Sequence, residues 1–81
     1  SIFGKKGGLR SIIRKHKLQK ADVIYIGDET RDIEAAHDAK IKIIAVTWGL
    51  NSRQILTKYK PEWLVNAPDD VITVLTGEKN S

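Results

Sequence analysis

The chain has 81 residues, of which 41% are hydrophobic and 30% are charged. This composition is typical of a globular protein, and no apolar run approaches the roughly 20 residues that a membrane span requires. Cysteine is absent, which excludes disulfides and thiolate metal sites, and the first residues do not resemble a secretory signal. We therefore expect one small cytoplasmic domain without a membrane role.

The net charge of +4 is distributed unevenly along the chain. Residues 1–20 contain seven basic and no acidic residues, which leaves residues 21–81 with seven basic and ten acidic ones, a net charge of −3. A basic segment of this kind is compatible with a phosphate- or nucleic-acid-binding module. No aromatic residue interleaves with the cluster to stack on bases, which favours a solvated helix face and keeps nucleic-acid binding as the alternative.

The first half of the chain alternates between helix and strand. Apolar positions spaced i, i+3, i+4 and i+7 predict an amphipathic helix over about residues 7–17, with His16 at the edge of its apolar stripe. A strand is predicted over residues 22–26, where Val23, Ile24, Tyr25 and Ile26 are β-branched or aromatic without polar alternation, which is typical of a strand covered on both faces. Thr30 is a candidate N-cap for a second helix, which is expected to run to about Lys40.

The second half continues the same alternation. The expected elements are a strand over 42–46, a helix capped by Asn51 or Ser52 and running to about Tyr59, a strand over 63–65, and a helix from Pro68 to Gly77. The residues expected to face the core are Ile55, Leu56 and Tyr59 in the third helix and Val71, Ile72, Val74 and Leu75 in the last. Short loops between alternating elements predict right-handed crossovers and an α/β fold, a Rossmann-like three-layer α/β/α arrangement with a three-stranded parallel sheet.

The most informative segment is an apolar strand that ends at Gly27 and is followed by Asp28 and Asp32. Ligands of open α/β sheets collect beyond the carboxyl ends of the strands, where Asp28 is expected to lie. Two carboxylates about 4 Å apart would repel by ~4 kcal/mol at an effective dielectric constant of 20, and a cation would remove that cost. Oxygen donors alone suit Mg²⁺. On spacing alone, a turn residue and a helix-dipole residue explain the two aspartates equally well. His16 and His37 are expected to pack rather than to bind a ligand.

Three segments together resemble the haloacid dehalogenase-like (HAD) phosphatases, especially their phosphoglycolate phosphatase-like branch. Residues 27–36, GDETRDIEAA, are similar to the fourth motif of that family. Residues 43–49 resemble the next strand with its Trp-Gly exit, and residues 61–65 resemble the closing strand. The resemblance covers nearly the whole chain and implies that residues 1–81 form the C-terminal half of a HAD-like core domain.

The resemblance also implies roles for individual residues. Asp28 would be a Mg²⁺ ligand, and Asp32 would bind the metal through water or orient its shell. Lys5, with Lys6 as second candidate, would be the catalytic lysine that neutralises the nucleophile and the transferring phosphoryl group. The implied substrate of the intact enzyme is a small phosphorylated metabolite such as phosphoglycolate.

The chain departs from the family in one respect. HAD phosphatases form an aspartyl-phosphate intermediate on the first aspartate of an Asp-x-Asp motif, and this sequence has no such motif, since Asp69 and Asp70 are adjacent and suit a helix start. We therefore expect a fragment that lacks the N-terminal half and the cap domain and is inactive alone. Without that half, the strand over 22–26 would have a bare edge, and we expect the fragment to self-associate there.

Overall fold

The computed structural model describes residues 8–77, with side chains from residue 11 onward. The elements are α1 (Gly8–Lys15), a short 3₁₀ helix (Lys20–Asp22), β1 (Ile24–Gly27), α2 (Thr30–Asp38), β2 (Lys42–Val46), α3 (Arg53–Lys58), β3 (Trp63–Val65) and α4 (Pro68–Thr76). The predicted alternation is confirmed, and only the 3₁₀ helix is new. Within the described range, the helices are too short or too polar to cross a membrane.

The three strands form one parallel sheet in the order β1-β2-β3. In register, Tyr25 lies beside Ile43 and Ala45 lies beside Leu64. Because the order is sequential, right-handed crossovers place α2 and α3 on the same face of the sheet. The predicted fold class is confirmed, and β1 is an edge strand of the described sheet, as expected.

Each face of the sheet has its own apolar core. The larger core joins α1, α2 and α3 to the sheet and contains Ile13, Tyr25, Ile33, Ala36, Ala39, Ile41, Ile43, Ala45 and Leu56. The smaller core lies on the other face, where Val71 and Val74 of α4 pack against Ile44, Val46 and Val65. The helices therefore flank the sheet on both sides, which gives the three predicted layers. The small side chains of Ala36 and Ala39 let α2 approach the sheet closely, as the alanine pattern indicates.

Several residues predicted to be buried are exposed. Ile55 and Tyr59 of α3 are about two-fifths exposed, Ile72 and Leu75 of α4 are more than half exposed, and His16 lies in solvent. The physical reason is the small size of the sheet: a helix of six to nine residues touches three short strands along a single line. Leu56, fully buried, is the residue of α3 that reaches this line. The prediction that β1 is covered on both faces was also wrong, because Ile26 is 36% exposed.

The helix caps confirm two predictions and correct a third. The Ser52 hydroxyl accepts a hydrogen bond from the Ile55 amide, and Gly77 ends α4 in the left-handed conformation with φ 72°. The N-cap of α2 is Glu29, one residue before the predicted Thr30. Glu29 and Asp32 form a reciprocal capping box, in which the side chain of each accepts a hydrogen bond from the backbone amide of the other. Thr30 has no acidic residue three positions later with which to form such a box.

His37 does more than pack, contrary to the prediction. Its Nε2 lies 3.0 Å from Oε2 of Glu62, and Oε1 of the same carboxylate accepts a hydrogen bond of 2.8 Å from the Ile43 amide. Burial raises the pKa of Glu62, but the Ile43 amide and His37 together outweigh it and leave that pKa below its ordinary value. The pair ties the end of α2 to the segment that enters β3, across 25 positions of sequence.

Candidate metal centre

The site begins where β1 ends, at a glycine that the geometry requires. A Cβ atom at position 27 would lie 2.5 Å from Cβ of Asp32, so any other residue would force the first turn of α2 away from the strand. Glycine allows the helix to begin directly above the strand end. This close approach brings Asp28 and Asp32 together, as their spacing predicts.

Asp32 is 1% exposed, and its carboxylate is fully used in holding the turn. Its Oδ2 accepts hydrogen bonds from the amides of Asp28, at 3.1 Å, and Glu29, at 3.0 Å. Its Oδ1 accepts a bond of 3.1 Å from the Tyr25 hydroxyl, which lies in the core below. A carboxylate with three such donors is held rigidly. Of the two roles implied for Asp32, these bonds favour orienting the metal shell.

Glu29 belongs to the same cluster but is engaged by a neighbouring cation. Its carboxylate accepts two hydrogen bonds from the Arg31 guanidinium, at 3.0 and 3.1 Å, in the paired geometry that arginine favours. The Glu29 side chain is 10% exposed, whereas that of Arg31 is 67% exposed. The hydrogen bonds from Arg31 and the charge of Glu29 raise the pKa of Arg31. Arg31 thus offsets one of the three negative charges of the cluster.

Asp28 is the most accessible carboxylate of the cluster, and the loop after β2 holds it. The amide of Leu50 donates a bond of 2.9 Å to its Oδ2, and the amide of Asn51 donates to its carbonyl oxygen at 3.1 Å. A Cβ atom at position 49 would overlap the Asp28 carboxylate, so Gly49 is also required by the packing. The Asn51 side chain accepts a bond of 3.0 Å from the Thr30 amide and joins the loop to the start of α2.

The three carboxylates lie close enough to surround a cation. One oxygen from each of Asp28, Glu29 and Asp32 can be chosen so that all three lie within 4.8 Å of one another. The hydrogen bonds given above occupy both oxygens of Asp32 and one of Asp28. Within the described part of the chain, Oδ1 of Asp28 has no hydrogen-bond partner, so this oxygen is available to bind a metal. An all-oxygen donor set with one direct carboxylate fits Mg²⁺, which keeps several of its waters.

The structure therefore brings Asp28 and Asp32 together, while Lys5 and Lys6 lie outside the described residues. The Trp-Gly exit of residues 43–49 includes Gly49, whereas the parts played by Tyr25, Glu29 and Leu50 were not predicted from the sequence. A signal existed for Glu29, because an acidic residue three positions before Asp32 is compatible with a capping box. The loop contacts had no local signal, since they join positions 22 apart.

Comparison with known proteins places the chain in a family. The haloacid dehalogenase-like hydrolase model matches residues 2–46. A phosphoglycolate phosphatase of Synechococcus elongatus is 41% identical over 75 residues, which are 93% of this chain and 35% of the relative. A pyrophosphatase PpaX of Bacillus mycoides is 31% identical over 55 residues, or 68% of this chain and 26% of the relative. The chain thus spans about a third or less of these curated relatives.

Two solved structures superimpose on most of this chain. A haloacid dehalogenase-like hydrolase of Streptococcus pneumoniae superimposes with a TM-score of 0.82 and 27% identity, over 88% of this chain and 34% of that one. A structure from Clostridium acetobutylicum gives a TM-score of 0.85 over 90% of this chain and 34% of that one, and at 23% identity it shows the fold alone. The family match and the 41% identity carry the assignment. The chain belongs to the haloacid dehalogenase-like hydrolase family.

Proposed function

We propose that this chain is the C-terminal half of the core domain of a Mg²⁺-dependent phosphatase that hydrolyses a small phosphate monoester such as phosphoglycolate. The observation that carries the proposal is the position of Asp28 at the carboxyl end of β1, with Oδ2 bonded to the Leu50 amide and Oδ1 facing no described donor. The relative from Synechococcus elongatus, 41% identical and named phosphoglycolate phosphatase, supports the substrate class.

In this proposal each residue of the cluster has a distinct task. Asp28 holds the cation through Oδ1, and Asp32 fixes the backbone at positions 28 and 29 so that Asp28 cannot turn away. Arg31 keeps the Glu29 carboxylate paired, which limits the negative charge that faces an incoming phosphate. A divalent cation at this position supplies positive charge to the oxygens of the phosphoryl group. Lys5, or Lys6 in its place, contributes a second positive charge on the substrate side.

The nucleophile of the proposed reaction lies outside this chain. The proposed covalent step forms an aspartyl-phosphate on a carboxylate of an Asp-x-Asp motif, and the 81 residues contain no such motif. The chain alone supplies one wall of the site and does not turn over phosphate esters. A test of its competence must therefore provide the other wall.

The experiment is a chimera in which this chain replaces the matching 75-residue segment of the Synechococcus elongatus phosphoglycolate phosphatase. We expect the chimera to hydrolyse phosphoglycolate with Mg²⁺ and to lose activity in EDTA. Asp28→Asn should lower kcat by at least about 100-fold, because it removes the charged ligand. Asp69→Asn, which changes an exposed acid at the start of α4, is the matched control and should leave kcat unchanged.

Two outcomes would contradict the proposal. One is a folded chimera, with a cooperative thermal transition, that has no Mg²⁺-dependent activity. The other is full turnover by Asp28→Asn. Pyrophosphate is assayed beside phosphoglycolate because another relative is named pyrophosphatase. A preference for pyrophosphate would be consistent with the proposed metal site but would contradict the proposed substrate class.

A further inference from the structure

Three helices of this chain end at a lysine in the left-handed backbone conformation. Lys17, Lys40 and Lys60 have φ values of 52°, 60° and 55°, and no other described residue except Gly77 has a positive φ. After α1 and α2 the chain forms Schellman turns, in which the amides of Leu18 and Ile41 reach back to carbonyls five residues earlier. Glycine is the usual residue at this position because a side chain costs about 1–2 kcal/mol there.

These lysines share one end of the molecule. In a parallel sheet with sequential order, each helix ends beside the start of the next strand, so the helix C-termini lie at the edge opposite Asp28. The acidic cluster of Asp28, Glu29 and Asp32 therefore occupies one edge, and a basic cluster occupies the other. The described basic residues near that second edge are Arg14, Lys15, Lys17, Lys20, Lys40, Lys42, Lys58 and Lys60. The described acidic residues near it are fewer, namely Asp22, Asp38 and Glu62.

One part of the basic edge is concave. A cleft of about 350 Å³ lies between α1, the 3₁₀ helix and the end of α2. Its lining combines the buried apolar residues Ile13 and Ala39 with three cations and one acid, namely Arg14, Lys20, Lys40 and Asp38. The three cations form no ion pair with any described residue, and in the described lining they outnumber the one acid, Asp38.

We propose that this cleft is an anion site that binds the phosphate group of a small metabolite, separate from the metal centre at the opposite edge. Arg14 of α1, Lys20 of the 3₁₀ helix and Lys40 after α2 all line this cleft, and arginine and lysine are the side chains that bind phosphate oxygens. A volume of about 350 Å³ lies at the lower end of the range for small-molecule pockets.

A small phosphate is a better match than a nucleic acid. A duplex requires a long basic track that contacts several successive phosphates, and stacking on single strands requires exposed aromatic rings. The described lining of the cleft contains no aromatic residue. Trp63, at 6.0 Å from the Lys42 ammonium, is partly buried, and Tyr59, which is 41% exposed, lies outside that lining. The cleft therefore suits one phosphate group rather than a chain of them.

The test compares two lysines that share a backbone conformation. Inorganic phosphate is titrated into the full 81-residue chain at constant ionic strength, and amide shifts and heat are recorded. We expect shifts at residues 38–41 and 14–20, and Lys40→Gly should weaken binding about tenfold. Lys60→Gly removes the same charge at the same left-handed position away from the cleft and should leave the affinity within twofold. Both substitutions place glycine where it is preferred, so neither should lower the thermal midpoint.

Phosphoglycolate is then titrated in place of inorganic phosphate, to distinguish free phosphate from a phosphorylated metabolite as the source of the anion. Asp69→Asn, which changes an exposed acid outside both sites, should alter neither titration. Shifts at residues 38–41 report on the cleft and shifts at residues 27–29 report on the metal centre, so failure here and failure of the proposed phosphatase activity can be told apart. Equal weakening by Lys40→Gly and Lys60→Gly would overturn the proposal in favour of diffuse attraction. Absence of shifts at residues 38–41 would also overturn it. Tighter binding of a DNA duplex, reduced by every lysine variant, would assign the edge to nucleic acid instead.

Discussion

Asp32→Ala tests the claim that Asp32 holds the metal centre in place. The substitution removes the acceptor of three hydrogen bonds, which the amides of Asp28 and Glu29 and the hydroxyl of Tyr25 donate. Loss of a buried hydrogen bond to a carboxylate costs about 1–3 kcal/mol. Water can reach the half-buried Asp28, so we assign about 1 kcal/mol to each amide and about 1–2 kcal/mol to the hydroxyl of Tyr25, which is 4% exposed.

The sum is a loss of about 3–4 kcal/mol in the free energy of unfolding. A domain of this length has only about 4–12 kcal/mol in total, so Asp32→Ala should be close to unfolding. Urea unfolding monitored by tryptophan fluorescence measures the change. Asp32→Asn keeps the shape and one acceptor oxygen and should lose about half as much, while Tyr25→Phe should lose about 1–2 kcal/mol. In the double mutant Tyr25→Phe with Asp32→Asn, the losses should not add, because the two residues share a bond.

The matched control is Asp28→Ala. The Asp28 carboxylate accepts one hydrogen bond from the described residues and is half-buried, so its loss should cost less than about 1 kcal/mol. The reasoning would be refuted if Asp32→Ala cost no more than Asp28→Ala. It would also be refuted if the losses of Tyr25→Phe and Asp32→Asn were simply additive.

Three further predictions follow from individual contacts. Gly49→Ala places a Cβ against the Asp28 carboxylate and should weaken Mg²⁺ binding at least about tenfold, whereas unchanged affinity by calorimetry would show that Asp28 is not held by this loop. Because the pKa of Glu62 is lowered in the folded chain, the ionised carboxylate stabilises the fold above its ordinary pKa of 4.5. Glu62→Gln should therefore reduce stability near pH 7 by an amount that is lost as the pH falls from 4.5 through the lowered pKa, and a difference independent of pH would contradict this. Ile26→Lys at the exposed edge strand should reduce self-association of the chain in light scattering, and equal association of both proteins would place the contact elsewhere.

The order of elements could be predicted because hydrophobic periodicity and turn residues are local properties. The last helix from Pro68 to Gly77 shows this, with a proline at its start and a glycine in the left-handed conformation at its end. Burial within helices could not be predicted in the same way. Periodicity predicts burial for both Leu56 and Ile55. The narrow contact of α3 with a three-stranded sheet decides that Leu56 is buried and that Ile55 is 42% exposed.

In the candidate site too, local patterns could be predicted and contacts between distant positions could not. Asp28 and Asp32 could be predicted because glycine and two aspartates after an apolar strand form a local pattern. The bond from the Leu50 amide to Asp28 and the pair of His37 with Glu62 join positions 22 and 25 apart, and no local pattern indicates them. The left-handed conformation of the lysines at positions 17, 40 and 60 could not be predicted either, because glycine is the residue that usually adopts it after a helix.

The central claim is that Asp28 binds the metal, and Mn²⁺ titration of the isotope-labelled chain tests it most directly. Mn²⁺ prefers the same oxygen donors as Mg²⁺ and broadens the NMR signals of nearby amides. The account predicts early broadening at residues 27–29 and 49–51, no early broadening at residues 40–42 on the opposite edge, and loss of the effect in Asp28→Asn. Equal broadening in Asp28→Asn, or earlier broadening beside the exposed acids Asp69 and Asp70, would contradict it.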